Sequence, residues 1–166
     1  RDHRILTRGV NGKEEISFGV LVAADGARSR VARVMGMPRP PVFLAGLQAD
    51  LLHGMDQSRV EIHPDASPEF FGWAIPLGPG RARVGLAGRS GTMERFRRFI
   101  SLFLGDSHEA FVHLVSGTIP LGTMARTYGD RALFVGDAAG MAKPTSGGGV
   151  YTGVRAARHA ARVIGE

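Results

Sequence analysis

The sequence contains no cysteine among its 166 residues. Disulfide bonds, cysteine-ligated zinc, iron–sulfur clusters and thiol catalysis are therefore excluded for this chain, while its redox compartment stays open. Lysine is scarce, since it occurs only as Lys13 and Lys143. No apolar run approaches the roughly 20 residues that a membrane-spanning helix needs.

What the chain does contain is the composition of a folded protein. Apolar residues make up 43% and charged residues 22% of the sequence, so it can bury a core and is not of the disordered or fibrous type. The net charge of +6 comes almost wholly from arginine. Because the arginines are spread from Arg1 to Arg162 rather than forming one block, we expect a solvated basic surface and no nucleic-acid partner.

The start of the chain is unusual. Residues 1–4, Arg-Asp-His-Arg, include no initiator methionine or signal peptide, and the strand-like segment 4–7 follows directly. We therefore expect the chain to be a piece of a longer protein. Residues 15–24 are predicted to form one strand buried on both faces. The Asp25-Gly26 turn and a short amphipathic helix that ends at Gly36 follow it.

A β-rich middle begins after the proline-rich stretch 38–41. Four segments predict an antiparallel sheet, namely 42–52, 58–63, 70–77 and 81–88. An amphipathic helix over 94–104 is predicted to pack on this sheet, and a further strand lies near 115–121. A short apolar strand at 132–135, a glycine-rich loop and a final amphipathic helix complete the predicted elements.

The most informative segment runs from Phe134 to Gly153. A buried strand delivers Asp137 at its carboxyl end, where open α/β sheets bind ligands, and a carboxylate there can accept hydrogen bonds from sugar-like hydroxyl groups. Gly147, Gly148 and Gly149 expose backbone N–H groups at the start of the last helix, whose positive dipole end favours an electron-rich ring. The segment therefore predicts a ligand site. The simpler alternative is that Asp137 caps a turn and the glycines only bend the chain.

These residues resemble the second flavin-binding motif of the geranylgeranyl reductase family, within the FAD enzymes of the p-hydroxybenzoate hydroxylase fold. The matching runs are Gly136-Asp137-Ala138-Ala139-Gly140 and Lys143-Pro144-Thr145-Ser146-Gly147-Gly148-Gly149-Val150-Tyr151. The resemblance implies an FAD cofactor. The cofactor-binding residues that it implies here are Gly136, Asp137, Gly140, Pro144, Gly147, Gly148 and Gly149.

Residues 24–33, Ala-Asp-Gly-Ala-Arg-Ser-Arg-Val-Ala-Arg, are similar to the Asp-Gly motif of the same FAD group, which lies near the cofactor's pyrophosphate. The resemblance implies that Asp25 and Gly26 contact the middle of FAD, and that Asp25 and Asp137 converge on one cofactor. No glycine begins the Gly-x-Gly-x-x-Gly spacing of a dinucleotide-binding motif. We therefore expect the adenosine half of the FAD site to be absent from this chain.

A third match concerns the substrate. The run Phe71-Gly72-Trp73-Ala74-Ile75-Pro76, followed by Gly85, resembles the aromatic-x-Trp-x-Phe-Pro signature that shapes the substrate cavity of geranylgeranyl reductases. At positions i and i+2 of a strand, Phe71 and Trp73 share a face and can form an apolar wall for an isoprenoid chain. The substrate residues that the resemblance implies are Phe71, Trp73, Pro76 and Gly85. Ile75 stands where the family has Phe and Ala87 where it has Gly, so the length of the chain bound stays open, as does a plain core role for Trp73.

The resemblance implies an α/β (α+β) fold in which residues 1–38 and 123–166 form part of an FAD-binding domain. An inserted antiparallel sheet with its helix, residues 39–122, would bind substrate. The implied activity of the complete protein is FAD-dependent reduction of prenyl-chain double bonds, with the fragment itself inactive. The alternatives are an FAD-dependent aromatic hydroxylase or monooxygenase of the same fold, and a non-catalytic apolar-ligand-binding domain.

The implied partners are a prenylated small molecule or lipid as substrate and a reduced nicotinamide or ferredoxin-type electron donor. We expect a cytoplasmic protein. Peripheral membrane contact through the basic helix 94–104 is an alternative to simple packing of that helix on the sheet. The six histidines show no metal-ligand spacing, so no metal is expected, and no catalytic side chain is assigned.

Overall fold

The structure, a computed structural model, describes residues 3–10, 12–104 and 111–166. It divides the chain into two compact units. Unit 1 combines Arg1–Val42 with Pro120–Glu166, and unit 2 is Phe43–Ile119. The mixed α/β class with an antiparallel sheet agrees with the prediction. Among the described residues, no helix has the length and apolar character needed to cross a membrane.

The described elements follow one another along the chain as three helices and ten strands. The strands are β1 (His3–Gly9), β2 (Gly12–Phe18), β3 (Leu21–Ala23), β4 (Val42–Leu51), β5 (Glu61–His63), β6 (Gly72–Pro76), β7 (Ala82–Gly88), β8 (Phe111–Leu121), β9 (Tyr128–Gly129) and β10 (Ala132–Phe134). The helices are α1 (Arg30–Val34), α2 (Thr92–Leu104) and α3 (Val150–Gly165), and 3₁₀ turns occupy Pro64–Ala66 and Gly136–Ala139.

Unit 1 begins with an antiparallel hairpin of β1 and β2, in which Ile5 faces Ile16. The prediction of a single strand over residues 15–24 is wrong, because the chain bends at residues 19–20 and β3 joins a different sheet. Gly19 offers no side chain to hold a continuous ladder there. Burial on both faces is also wrong, since Val22 in β3 is 41% exposed.

The second sheet of unit 1 has the order β3-β10-β9. β3 and β10 pair in parallel and β10 and β9 pair antiparallel. Ala23, Ala132 and Phe134 are buried in the core under this sheet. The short helix α1 is capped by Ser29, whose hydroxyl accepts from the Ala32 amide at 2.9 Å, and the chain leaves the helix through Gly36 at φ +61°.

Unit 2 contains the predicted sheet, now with five strands in the order β5-β6-β7-β4-β8. The pairs β5–β6, β6–β7 and β7–β4 are antiparallel, and β4 pairs with β7 rather than with β5, the next strand in sequence. The buried apolar side chains of α2, Phe96, Phe99 and Ile100, pack with Val84 and Leu86 of β7. Sheet packing therefore accounts for the amphipathic pattern of α2.

Alternation along the strands gives the sheet of unit 2 two distinct faces. The helix-covered face carries Leu47, Ala49, Leu51, Ala74, Val84 and Leu86. The opposite face, called here the Trp73 face, carries Gln48, Asp50, Trp73, Ile75, Arg83 and Gly85. The first face holds the core of unit 2, and the second holds most of the residues predicted to bind substrate.

Gly72 provides a test of the packing between α2 and the sheet. A Cβ atom at this position would lie 2.6 Å from the Phe99 ring and 2.8 Å from Ala66 Cβ. Because both neighbours are held in the core, we expect Gly72→Ala to lower the free energy of unfolding by about 1–3 kcal/mol. Urea denaturation measures this. The matched control is Gly54→Ala, where a Cβ meets nothing within 4 Å and the change should stay within about 0.5 kcal/mol.

Candidate functional site

The candidate cofactor site lies at one edge of the β3-β10-β9 sheet in unit 1. β3 and β10 run in the same direction with Ala23 opposite Phe134, and the Val135 amide donates to the Ala23 carbonyl at 3.0 Å. Both strands therefore end at the same edge. The turn that carries Asp25 follows one strand, and the turn that carries Asp137 follows the other.

Asp25 is committed to the local structure of its turn. Its Oδ2 accepts hydrogen bonds from the amides of Arg30 at 2.7 Å and Val31 at 3.2 Å, at the start of α1. Partial burial tends to raise the pKa of the Asp25 carboxyl, but hydrogen bonds from Ser29, Val31 and Arg30 outweigh it and hold that pKa below its usual range. Asp25 thus orders the Asp-Gly turn, in which Gly26 adopts φ +83°.

Asp137 is in a different situation. It lies in the 3₁₀ turn Gly136–Ala139, and a Cβ atom on Gly149 would stand only 2.7 Å from its Oδ1. The carboxylate therefore lies against the N-cap residue of α3, where the helix dipole favours negative charge. Among the described residues, no donor forms a hydrogen bond with this carboxylate, and burial raises the pKa of Asp137. Asp137 is therefore a half-buried acceptor without a donor among the described residues.

The contact between α3 and the Asp137 turn depends on two residues that the sequence analysis missed. The Thr152 hydroxyl donates to the Met141 carbonyl at 2.5 Å, which ties the helix to the loop after the turn. Gly153 lies so close that a Cβ atom there would be 3.4 Å from Gly136 Cα. The spacing of Gly149 and Gly153 in the sequence could have indicated this contact, because it places two residues without side chains on one face of a helix.

In the glycine-rich loop before α3, most backbone amides donate hydrogen bonds within the loop itself. Gly147 N–H donates to the Lys143 carbonyl at 2.8 Å, and Gly148 N–H points to the Ser146 hydroxyl at 3.4 Å. Within the part of the chain that the structure describes, Gly149 N–H has no such partner. The expectation that all three amides are bare is therefore corrected to one. Pro144 lies exposed in the same loop.

Gly140 serves packing. It adopts φ +72°, and a Cβ atom there would lie 2.5 Å from the Gly122 carbonyl oxygen and 2.9 Å from the Pro40 ring. Only glycine fits this position, because both the backbone conformation and the contact with neighbouring backbone exclude a side chain. Gly140 therefore shapes the end of the Asp137 turn from inside unit 1.

The predicted substrate residues gather on and beside the Trp73 face of unit 2. The rings of Phe71 and Trp73 meet edge to face at 6.1 Å, and Phe70 stacks on Phe71 at 4.2 Å. The indole of Trp73 lies over Gly85, since a Cβ atom at Gly85 would be 2.5 Å from its ring carbons. The absence of a side chain at Gly85 thus leaves room for the Trp73 ring on the sheet. Pro76 ends β6 and is half-buried.

Two curated relatives match almost the whole chain, whereas no family model matches it. Digeranylgeranylglycerophospholipid reductase 2 of Methanothermobacter thermautotrophicus is 30% identical over 98% of this chain and 44% of its own length. Digeranylgeranylglycerophospholipid reductase 2 of Methanopyrus kandleri is 32% identical over 95% of this chain and 44% of its own length. The chain is thus similar to these two geranylgeranyl-lipid reductases over almost all of its own residues. It spans less than half of the length of either relative.

Solved structures agree on the fold. A geranylgeranyl bacteriochlorophyll reductase-like protein from Thermoplasma acidophilum superposes with a TM-score of 0.79 at 20% identity, over 94% of this chain and 43% of its own. The flavin-dependent halogenase CmlS superposes with a TM-score of 0.68 at 16% identity, over 95% of this chain and 32% of its own. The fold of this chain is therefore similar to that of proteins with different names, a reductase-like protein and a flavin-dependent halogenase.

The low pKa of Asp25 predicts a pH-dependent stability. A carboxyl whose pKa is lower in the folded than in the unfolded state stabilises the fold above its unfolded pKa, and this stabilisation is lost as the pH falls through the folded pKa. At pH 7 we expect Asp25→Asn to lower the free energy of unfolding by about 0.5–1 kcal/mol. The difference between Asp25→Asn and the wild type should shrink below about pH 4.

Urea denaturation at a series of pH values measures this difference. The control is Asp65→Asn, whose exposed carboxylate forms no hydrogen bond with the described residues, and whose curve should follow that of the wild type. A pH-independent effect of Asp25→Asn would contradict the capping role.

Proposed function

We propose that this chain supplies the flavin-binding and prenyl-binding residues of an FAD-dependent reductase that saturates double bonds in prenyl chains. The observation that carries the proposal is the half-buried Asp137 carboxylate, which lies at the end of β10 against the start of α3 without a donor among the described residues. The names of the curated relatives support the same reaction class.

The residues of unit 1 fit the ribityl and ring portions of FAD. Asp137 offers acceptors for ribityl hydroxyl groups, and Gly149 N–H, at the positive end of α3, offers a donor for an electron-rich ring atom. Because Gly149 and Gly153 have no side chains, the Asp137 turn packs directly against this end of the helix and holds the carboxylate beside the Gly149 amide. Asp25 and Gly26 would form the neighbouring turn at the same sheet edge.

When bound and reduced, a flavin supplies a hydride equivalent, and the chain's own residues bind and orient the reactants. Reduction of each carbon–carbon double bond adds one hydride and one proton to the prenyl chain. A reduced nicotinamide or a ferredoxin-type protein would restore the two electrons. The exposed part of Trp73, with Phe71, would hold the prenyl chain by apolar contact rather than by hydrogen bonds.

The aromatic hydroxylase alternative has fold-level support only. Anhydrotetracycline hydroxylase OxyS from Streptomyces rimosus superposes with a TM-score of 0.63 at 23% identity, over 92% of this chain and 33% of its own. The curated relatives with higher identity carry reductase names. We therefore propose the reductase. Oxygen-dependent consumption of reduced nicotinamide with a phenol would favour the hydroxylase instead.

Asp137 provides the test of the cofactor site. In protein expressed from its complete coding sequence, we expect Asp137→Ala to weaken flavin binding about 10–100-fold, because hydrogen bonds to a charged acceptor are lost. Flavin absorbance after gel filtration and titration of the apoprotein with FAD measure this. Asp130→Ala changes an exposed aspartate of the same unit and should retain full flavin binding. A wild-type protein without flavin affinity would overturn the proposal.

Trp73 provides the test of the prenyl site. We expect Trp73→Ala to lower kcat/KM for a geranylgeranyl substrate about tenfold or more, since a large apolar contact is removed, while the flavin content stays unchanged. Steady-state kinetics and flavin absorbance on the same preparation separate the two effects. Leu102→Ala removes an apolar side chain from α2 that is 74% exposed and should leave kcat/KM unchanged. Equal activity of Trp73→Ala and the wild type would contradict the assignment.

A further inference from the structure

One end of the Trp73 face carries an ion pair. Asp50 in β4 stands opposite Arg83 in β7 and is only 8% exposed. Arg83 binds it with two hydrogen bonds, from Nε to Oδ1 at 2.8 Å and from Nη2 to Oδ2 at 3.1 Å. This bidentate geometry holds the guanidinium in one orientation. Its Nη1 has no hydrogen-bond partner within the described residues.

Arg83 is not alone beside the Asp50 carboxylate, because a second arginine lies near it. Arg81 Nη2 lies 4.0 Å from Asp50 Oδ2, and the Arg81 side chain is half exposed. With two arginines against one aspartate, the cluster has excess positive charge. A purely structural ion pair would not need the second arginine.

The cluster adjoins the aromatic part of the sheet. Ile75, Arg83 and Asp50 form one row across β6, β7 and β4, and Trp73, Gly85 and Gln48 form the row beside it. Beyond them Gly46 presents no side chain, and Ile119 lies 3.5 Å from the position of its absent Cβ. The Trp73 face therefore changes from apolar to cationic over two rows of one sheet.

We propose that Arg81 and Arg83 bind the phosphate of a phosphorylated prenyl compound whose chain lies along Trp73. The inference rests on the proposed function and assigns its substrate preference to two residues. Guanidinium groups match phosphate oxygens in geometry and charge, and Arg83 is already oriented by Asp50. The phosphate belongs either to a free prenyl phosphate or to the headgroup of a phospholipid with prenyl chains.

The probes are geranylgeranyl phosphate, geranylgeraniol, inorganic phosphate and a phospholipid with geranylgeranyl chains. Calorimetry measures their dissociation constants with flavin-loaded protein expressed from its complete coding sequence. Arg81→Gln removes an exposed charge without uncovering a buried one. The double variant Asp50→Asn with Arg83→Gln removes the ion pair as a unit, because loss of Arg83 alone would leave Asp50 unpaired and buried. The matched control is Arg97→Gln, on the exposed side of α2.

We expect wild-type protein to prefer geranylgeranyl phosphate to geranylgeraniol, and this preference should fall as the salt concentration rises. Arg81→Gln should raise the dissociation constant of geranylgeranyl phosphate about tenfold, the effect of one charge-assisted hydrogen bond, and that of geranylgeraniol less than about twofold. The double variant should show the same two changes. Arg97→Gln should change neither dissociation constant. Inorganic phosphate should bind far more weakly than the prenyl phosphate. Whichever of the prenyl phosphate and the phospholipid shows the arginine dependence identifies the source.

The inference is overturned if Arg81→Gln weakens the binding of geranylgeranyl phosphate and of geranylgeraniol equally, or weakens the binding of neither. It is also overturned if inorganic phosphate binds as tightly as geranylgeranyl phosphate. Wild-type protein that binds both prenyl probes with one affinity would remove this inference and leave the proposed function intact. Protein that binds neither prenyl probe would remove both. If the double variant does not fold by circular dichroism, Arg81→Gln alone decides.

Discussion

The parallel pairing of β3 with β10 is the contact on which the candidate cofactor site depends. The two strands are short, and all of unit 2 separates them in the sequence. Their common direction places the Asp25 turn and the Asp137 turn at one sheet edge. The hydrogen bond between Val135 and Ala23 fixes the register, and a slip by one residue would reverse which side chains face the core.

The carboxylates of Asp25 and Asp137, in the two turns at this edge, have different roles. Asp25 uses its carboxylate to hold the start of α1, so its pKa is low and its turn is rigid. Asp137 keeps its carboxylate without a donor among the described residues, and burial raises the pKa of this carboxyl. The same residue type therefore supports the fold in one turn and remains free for a ligand in the other.

Much of this arrangement could be predicted from local sequence. The Asp-Gly turn, the glycine-rich loop and the apolar periods of α2 and α3 are all encoded within short windows. What could not be predicted depends on contacts between distant residues. The division of residues 15–24 between two sheets follows from what each half pairs with, and the packing role of Gly140 follows from Gly122 and Pro40. The Asp50–Arg83 pair needed the register of β4 against β7, which residue types alone do not specify.

The insertion of unit 2 into unit 1 also sets an order of folding. Unit 2 is one continuous stretch, Phe43–Ile119, whereas the β3-β10-β9 sheet needs residues on both sides of it. During synthesis unit 2 leaves the ribosome complete before β10 has been made, so β3 must wait without its partner. Once unit 2 has folded, the chain between β3 and β10 has fewer conformations. Less entropy is therefore lost when β3 and β10 pair. The sheet edge that these two strands form can therefore assemble only after β10 has been made.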